Sequence, residues 1–222
     1  MILDRPNSSR VRKPQFLCIV GCEGKNQERM YLEKIAQLVN CVEERSRDLV
    51  FDFAEPYGGT PKCVVERTLK KSIGKENKAS IFDYDGKKVK YEEAIDLAKE
   101  NKIELGYSNY SFDLWLLLHK EDYFVVVPNQ KEYEDEIRRV YGLPAEESIK
   151  RGRKVERILE QIEWPDIKTA IERAEKIAID NEGRQENITA GNNIYYDNPD
   201  TQMHVLLKFL FKKVGVNIET LG

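Results

Sequence analysis

Histidine and cysteine are scarce in this chain of 222 residues: there are two of the first and four of the second. His119 and His204 stand far apart, and Cys18, Cys22, Cys41 and Cys63 include no Cys-x-x-Cys pair. That inventory argues against a zinc site, so any metal should be a hard cation held by carboxylates, Mg²⁺ or Mn²⁺. Cys18 and Cys22 fall on one face of an expected strand and read as buried, reduced thiols. No apolar run approaches the roughly 20 residues that cross a bilayer, so no membrane association is expected. Residues 1–15 are polar and basic without an apolar stretch, which is not a signal-peptide pattern, and a cytoplasmic location is expected. A positive excess is also missing. With 36 Lys+Arg against 39 Asp+Glu the formal charge is −3, which excludes a histone-like polycation but leaves room for a local basic groove.

What is present is enough to build a core: 41% of residues are hydrophobic and 34% charged. The apolar run at 16–20, closed by Gly21, reads as a strand buried on both faces. A helix is expected from Asn26, with Met30, Ile35, Leu38 and Val39 near one stripe. Residues 49–53 read as a second strand. Thr60-Pro61 then suits an N-cap and first helical position, with the helix running to about Ile73. Residues 79–82 give a third strand, Tyr91, Ala94, Ile95 and Ala98 mark a third helix, and 103–107 give a fourth strand. This alternation predicts an α/β fold with a mainly parallel, Rossmann-like sheet flanked by helices. From 128 onward the pattern is mainly helical. A short apolar helix is expected at 112–119, a loop over 182–198, and a last helix carrying Val205, Leu206, Phe209 and Leu210. The organisation expected is a flexible basic arm over 1–14, an α/β core over 15–127, and a helical region over 128–222 packed on that core.

In such sheets the loops leaving the carboxyl ends of the strands line one crevice, where ligands bind. The first strand exits into Gly21-Cys22-Glu23-Gly24, with Glu28 shortly after. The third exits into Asp83-Tyr84-Asp85-Gly86. The fourth exits into Ser108-Asn109-Tyr110-Ser111, with Asp113 just inside the next helix. Asp83 and Asp85 can aim two carboxylates at one hard cation, and Glu23 and Glu28 can add oxygens from the opposite loop. Clustered carboxylates repel unless a cation lies between them, and two such metals about 4 Å apart can hydrolyse a phosphodiester.

Strand–Glu-Gly followed by strand–Asp-x-Asp resembles the Toprim domain of primases, topoisomerases and related nucleases. More specifically, CEGKNQERMYLE at 22–33, FDYDG at 82–86 and SNYSFDLWLLLH at 108–119 resemble the motifs of RloB-like proteins. Asn198-Pro199-Asp200 resembles that family's carboxyl-terminal Asn-Pro-Ser motif. The resemblance runs from about Lys13 to Val214. It implies a Toprim-like core and a Mg²⁺- or Mn²⁺-dependent nuclease of anti-phage defence, often encoded beside a large ATPase. It assigns Glu23, Asp83 and Asp85 as metal and acid/base carboxylates and Glu28 as a further ligand. Ser108, Asn109, Asp113 and His119 would be supporting residues. Asp113 stands where the family usually carries Glu, and Gly86 where it carries a further acid.

Lys87 and Lys88 follow the Asp-x-Asp loop, and Lys150, Arg151, Arg153 and Lys154 cluster later. Together with Arg10, Arg12 and Lys13 they suit a groove that tracks phosphates of a nucleic acid. Trp115 and its neighbouring leucines read as the buried face of a short helix, and His119 reads as structural. Two other functions fit the same residues. One is a Toprim module that binds an ATPase partner or nucleic acid without cutting. The other is a haloacid dehalogenase-like phosphatase, whose nucleophile loop also resembles Asp83-Tyr84-Asp85-Gly86, although that loop usually opens the first strand. Partner identity and homo-oligomerisation are not decided by the sequence.

Overall fold

The first apolar run forms a strand longer than its apolar part: β1 spans Gln15–Cys22, and all five residues from Cys18 to Cys22 are buried. The structure is a computed structural model. It describes residues 13–55, 58–84, 88–125, 130–144, 152–188 and 199–221, with backbone alone at 88–89 and 183–188. β2 (Asp48–Phe53) and β3 (Lys78–Ile81) flank β1, and β4 (Glu104–Leu105) lies outside β3. All three pairings are parallel, in the order β2-β1-β3-β4. Parallel strands need crossovers. Here α1 (Gln27–Cys41), α2 (Pro61–Lys71) and α3 (Lys88–Glu100) supply them. The chain steps from β1 outward to β2, then returns past β1 to β3. The winding therefore reverses between β1 and β3, which is where a crevice opens at the carboxyl ends of the strands.

Local chemistry explains the elements. Pro61 sits at the first helical position of α2, and the Thr60 hydroxyl accepts the Cys63 N–H at 3.5 Å, as the Thr-Pro pair predicts. Gly21 lets α2 approach β1, since a Cβ there would lie 2.1 Å from Thr68 Oγ1 and 3.0 Å from the Val64 carbonyl. On this face Val64, Val65, Phe82, Tyr91, Ala94, Ala98 and Ile103 form one apolar cluster. The opposite face of the sheet belongs to a larger cluster that also takes in α1 and the helices beyond residue 112. Burial of each large side chain there contributes about 1.5–3 kcal/mol.

Beyond β4 the structure departs from the expected pattern. The fourth strand covers only Glu104–Leu105; the Gly106 N–H still donates to the Ser80 carbonyl at 3.0 Å, and Gly106 passes against α8 (Met203–Val214). A Cβ at Gly106 would lie 2.7 Å from the Met203 sulfur. The loop after it is not purely a loop: β5 (Ser108–Asn109) pairs antiparallel with β6 (Asp200–Thr201) in a second, two-stranded sheet. Asp200 therefore belongs to a strand rather than opening the last helix. α4 (Asp113–Leu118) is buried on every side, so its apolar run reflects full enclosure rather than one inward face. α5 (Gln130–Val140), α6 (Gly152–Glu160) and α7 (Trp164–Ile188) follow. α7 begins at the Trp164-Pro165 step, with proline in the first helical turn where its missing N–H costs nothing. It continues through 182–188, which had read as loop, because Glu, Arg and Gln have high intrinsic helix propensity. In α1 the inward stripe is Tyr31, Leu32, Ile35 and Val39, with Met30 and Leu38 at its margins. α8 packs inward through Leu206, Leu207, Leu210, Phe211 and Val214, while Val205 faces solvent. Gly215 ends it at φ 71°, the left-handed position that favours glycine. Among the described residues no helix is long and apolar enough to cross a membrane.

Candidate active site at the ends of β1 and β3

Glu23 and Asp83 meet at the reversal point. The Glu23 N–H donates to the Ile81 carbonyl at 3.1 Å, extending the β1–β3 ladder by one step past Cys22. This carries the Glu23 side chain to the β3 exit, where its Oε2 accepts the Asp83 N–H at 3.0 Å. Asp83 is in turn bridged to Ser108, and its Oδ1 accepts the Phe112 N–H at 2.9 Å. One oxygen of each carboxylate is thus fixed by a main-chain donor from the next segment. Three loops are locked together in the order β1 exit, β3 exit, α4 start.

Asp113 and Glu28 sit deeper. Asp113 is fully buried; its Oδ1 accepts the Gln27 amide at 2.6 Å and its Oδ2 accepts the Ser111 hydroxyl at 3.1 Å. It ties the start of α4 to the start of α1. Glu28, in the first turn of α1, is also buried. Its carboxylate lies where a Cβ on Gly24 would come within 2.6 Å of Oε2, so the Glu-Gly pair makes room for a second acid. Negative charge near a helix amino terminus is favourable. Burial, then the Glu28 charge, pushes the adjacent Cys22 thiol well above its ordinary value.

The remaining candidates are structural in their contacts. Ser108 is buried and shares a hydrogen bond of 2.9 Å with Thr201. Asn109 lies opposite Asp200, and its carbonyl accepts the Tyr133 hydroxyl at 3.2 Å. His119 is buried, with Nδ1 at 2.9 Å from the Trp115 carbonyl and Nε2 at 3.1 Å from the Tyr31 hydroxyl. A carbonyl only accepts, so Nδ1 carries the proton and Nε2 accepts from Tyr31. Burial lowers the His119 pKa to about 4, against a smaller opposing effect of the Trp115 carbonyl. A neutral imidazole enclosed in this way does not face a phosphate.

Arg153 and Lys154 part company on α6, because successive helical residues point about 100° apart. Arg153 is exposed and Lys154 is buried beside Val155, Ile158 and Leu159. The basic run at 150–154 is therefore not one solvated patch. Asp85, Lys87, Lys150 and Arg151 lie outside the described residues, as do Arg10 and Arg12 and the Lys88 side chain.

Sequence reasoning missed Gln27, Ser111, Asp200 and Thr201. Gln27 is a polar residue in a first helical turn, indistinguishable there from a solvated one. The Asn-Pro-Asp motif was visible, but nothing local shows that Asp200 pairs across the chain with Asn109.

The donors gathered around the crevice are oxygens, since the histidines are engaged inside the protein and Cys18 and Cys22 are buried. That chemistry suits a hard divalent cation. Among the described residues no three His, Cys, Asp or Glu side chains converge as a ready metal-binding group. The profile of the RloB-like protein family matches residues 18–210. The chain belongs to the RloB-like family. The matched span of this RloB-like chain runs from β1 into α8 and so contains Glu23, Glu28, Asp83, Asp113 and the β5–β6 pair. No curated protein and no solved structure matches it.

Proposed function

We propose that this RloB-like chain is a Toprim-type, divalent-metal-dependent nuclease acting on DNA or RNA in anti-phage defence. The observation that carries the reading is the contact of Glu23 with Asp83 where the sheet winding reverses. A glutamate leaving the first strand and an aspartate leaving the third lie side by side on neighbouring strands, the placement that the Toprim resemblance implies. Glu23 and Asp83, with Asp85 two residues on, would hold Mg²⁺ or Mn²⁺, and Glu28, from the first turn of α1, would be a further ligand. When bound, the cation neutralises charge on the phosphodiester and makes water a stronger nucleophile at neutral pH. Glu23 is the acid/base candidate, held in place by its own main-chain bond to β3. The Phe112 N–H fixes one oxygen of Asp83 at the β3 exit, and the buried Gln27–Asp113 link ties the α1 start to the α4 start.

The departures from the family pattern, Asp113 in place of the usual glutamate and Gly86 in place of a further acid, support a second reading, a Toprim module that binds nucleic acid or an ATPase partner without cutting. One experiment separates the two. Purified protein is incubated with supercoiled plasmid, single-stranded DNA and transfer RNA in Mg²⁺ or Mn²⁺, beside Asp83→Ala. Metal-dependent cutting that the variant loses supports the nuclease. Equal inactivity of both proteins, with no calorimetric metal binding, supports the module.

A further inference from the structure

Two tyrosines stand at the rim of the carboxylate site. Tyr84 directly follows Asp83, and Tyr110 directly follows the β5 strand to which Asp83 is bridged. Main-chain bonds fix the two segments together: the Tyr84 N–H donates to the Ser108 carbonyl at 2.9 Å, and the Ser108 N–H donates to the Phe82 carbonyl at 3.3 Å. The rings lie 6.4 Å apart between centroids with their planes at 36°. Each is backed by a different apolar cluster. Tyr84 rests edge-on against Tyr91 at 4.9 Å in the smaller cluster, and Tyr110 packs on the larger. Tyr31, Tyr133 and Tyr141 are buried, whereas Tyr84 and Tyr110 keep part of their surface in solvent beside Asp83.

We propose that Tyr84 and Tyr110 form a stacking ledge for an unpaired nucleobase, so that the Glu23–Asp83 site takes single-stranded segments of nucleic acid. The inference deepens the nuclease reading and rests on it. Rings this close leave no slot between them, so a base stacks on the solvent-exposed part of the pair instead of intercalating. A base within a duplex already has both faces covered by its neighbours and offers none to the ledge. Stacking on tyrosine is tolerant of sequence, because every base has a π-face. The ledge therefore selects strandedness rather than sequence.

The test is a fluorescence-anisotropy titration of the full chain in EDTA, where no metal-dependent hydrolysis depletes the probe. The probes are a labelled single-stranded DNA, the same sequence as RNA, and a blunt DNA hairpin closed by a non-nucleotide ethylene glycol linker, which carries no unpaired base. The proteins are wild type, Tyr84→Leu/Tyr110→Leu, Tyr110→Leu alone, and Tyr84→Phe/Tyr110→Phe. Leucine keeps apolar bulk while removing the aromatic face. Wild type is expected to bind at least one single strand about tenfold or more tighter than the hairpin. The leucine variants should lose most of that preference and the phenylalanine variant should keep it. Whether DNA or RNA binds tighter identifies the sugar. Equal affinity for strand and hairpin, binding to neither, or an unchanged preference in the leucine variants would overturn the ledge. If the Tyr110→Leu/Tyr84→Leu protein does not fold, the wild-type preference and Tyr110→Leu alone still decide. Tyrosine-dependent single-strand binding without Asp83-dependent cleavage would overturn the nuclease reading alone. Asp83-dependent cutting of duplex by the leucine variants at the wild-type rate would overturn the ledge alone.

Discussion

The carboxylate of Glu23 accepts the main-chain N–H of Asp83 at 3.0 Å, although sixty positions separate the two residues. The bond depends on topology rather than on either loop alone. β1 and β3 are hydrogen-bonded neighbours, and the chain comes back to β1's other side only after building β2 and α2. Anything that shifts α2 against β1 therefore disturbs the site from behind.

Gly21 is where that disturbance is easiest to make. Thr68, the first atom a Cβ would meet, is fully buried and bonded through its hydroxyl to the Val64 carbonyl at 2.9 Å and to Ser80 at 2.8 Å, so it has little freedom to move. Gly21→Ala is expected to cost about 1–3 kcal/mol, the usual range for overpacking. Adding Thr68→Ala should recover part of the loss, since the severest contact is then gone and Val64 remains close through its carbonyl at 3.0 Å and its Cγ1 at 3.2 Å. Urea unfolding of the two variants checks this. A single variant as stable as wild type would show that α2 is not seated as described.

His119 predicts a pH dependence of stability. Its pKa falls from 6.5 in the unfolded chain to about 4 in the fold, chiefly by burial. Between those values the unfolded state binds the extra proton, so stability falls as pH drops through that window and is fully present above pH 6.5. The loss from this group should be on the order of 3 kcal/mol once pH reaches the folded pKa. Carboxylates and His204 titrate nearby, so the measurement is a comparison. Unfolding free energy between pH 7 and 4 should fall less steeply in His119→Gln than in wild type. Parallel slopes would mean that His119 is not held neutral by burial.

Cysteine reactivity gives a third expectation. Hydrogen bonds from Thr60 lower the Cys63 pKa, whereas burial raises that of Cys18 to about 12 and that of Cys22 well above its ordinary value. The thiolate is the reactive form. Iodoacetamide at pH 7.5, followed by peptide mass spectrometry, should modify Cys63 well before Cys18 or Cys22. Thr60→Ala should slow modification at Cys63 and, by removing the α2 cap, cost about 0.5–2 kcal/mol of stability. Early labelling of Cys18 would contradict its enclosure in β1.

Much of the α/β core was legible because its strands are continuous apolar runs and its helices carry periodic stripes. Glu23 and Asp83 were assignable to one crevice because both leave the carboxyl ends of strands in a mainly parallel sheet, whereas the strand order that makes them neighbours has no local signal. Beyond β4 the signals weaken for physical reasons. A two-residue strand such as Ser108–Asn109 has no periodicity, and its partner Asp200–Thr201 lies about ninety residues away. The buried charge at Asp113 was equally hidden, because an aspartate at a helix start reads as an ordinary first-turn acid. Lys154 misled in the opposite direction, since a basic run suggests solvent while the helix turns one member of it inward.

The central claim is that Glu23 and Asp83 act as one centre, and a double-mutant cycle on metal-dependent cleavage tests it most directly. Glu23→Gln, Asp83→Asn and the double variant keep the shape of the hydrogen-bonded pair while removing its charge. Residues that work as a unit are non-additive. Each single change should reduce the cleavage rate by about 100-fold or more, the scale of a lost catalytic group, and the double variant should be no slower than the worse single. Wild-type rates in either single variant, or losses that multiply in the double, would contradict the account.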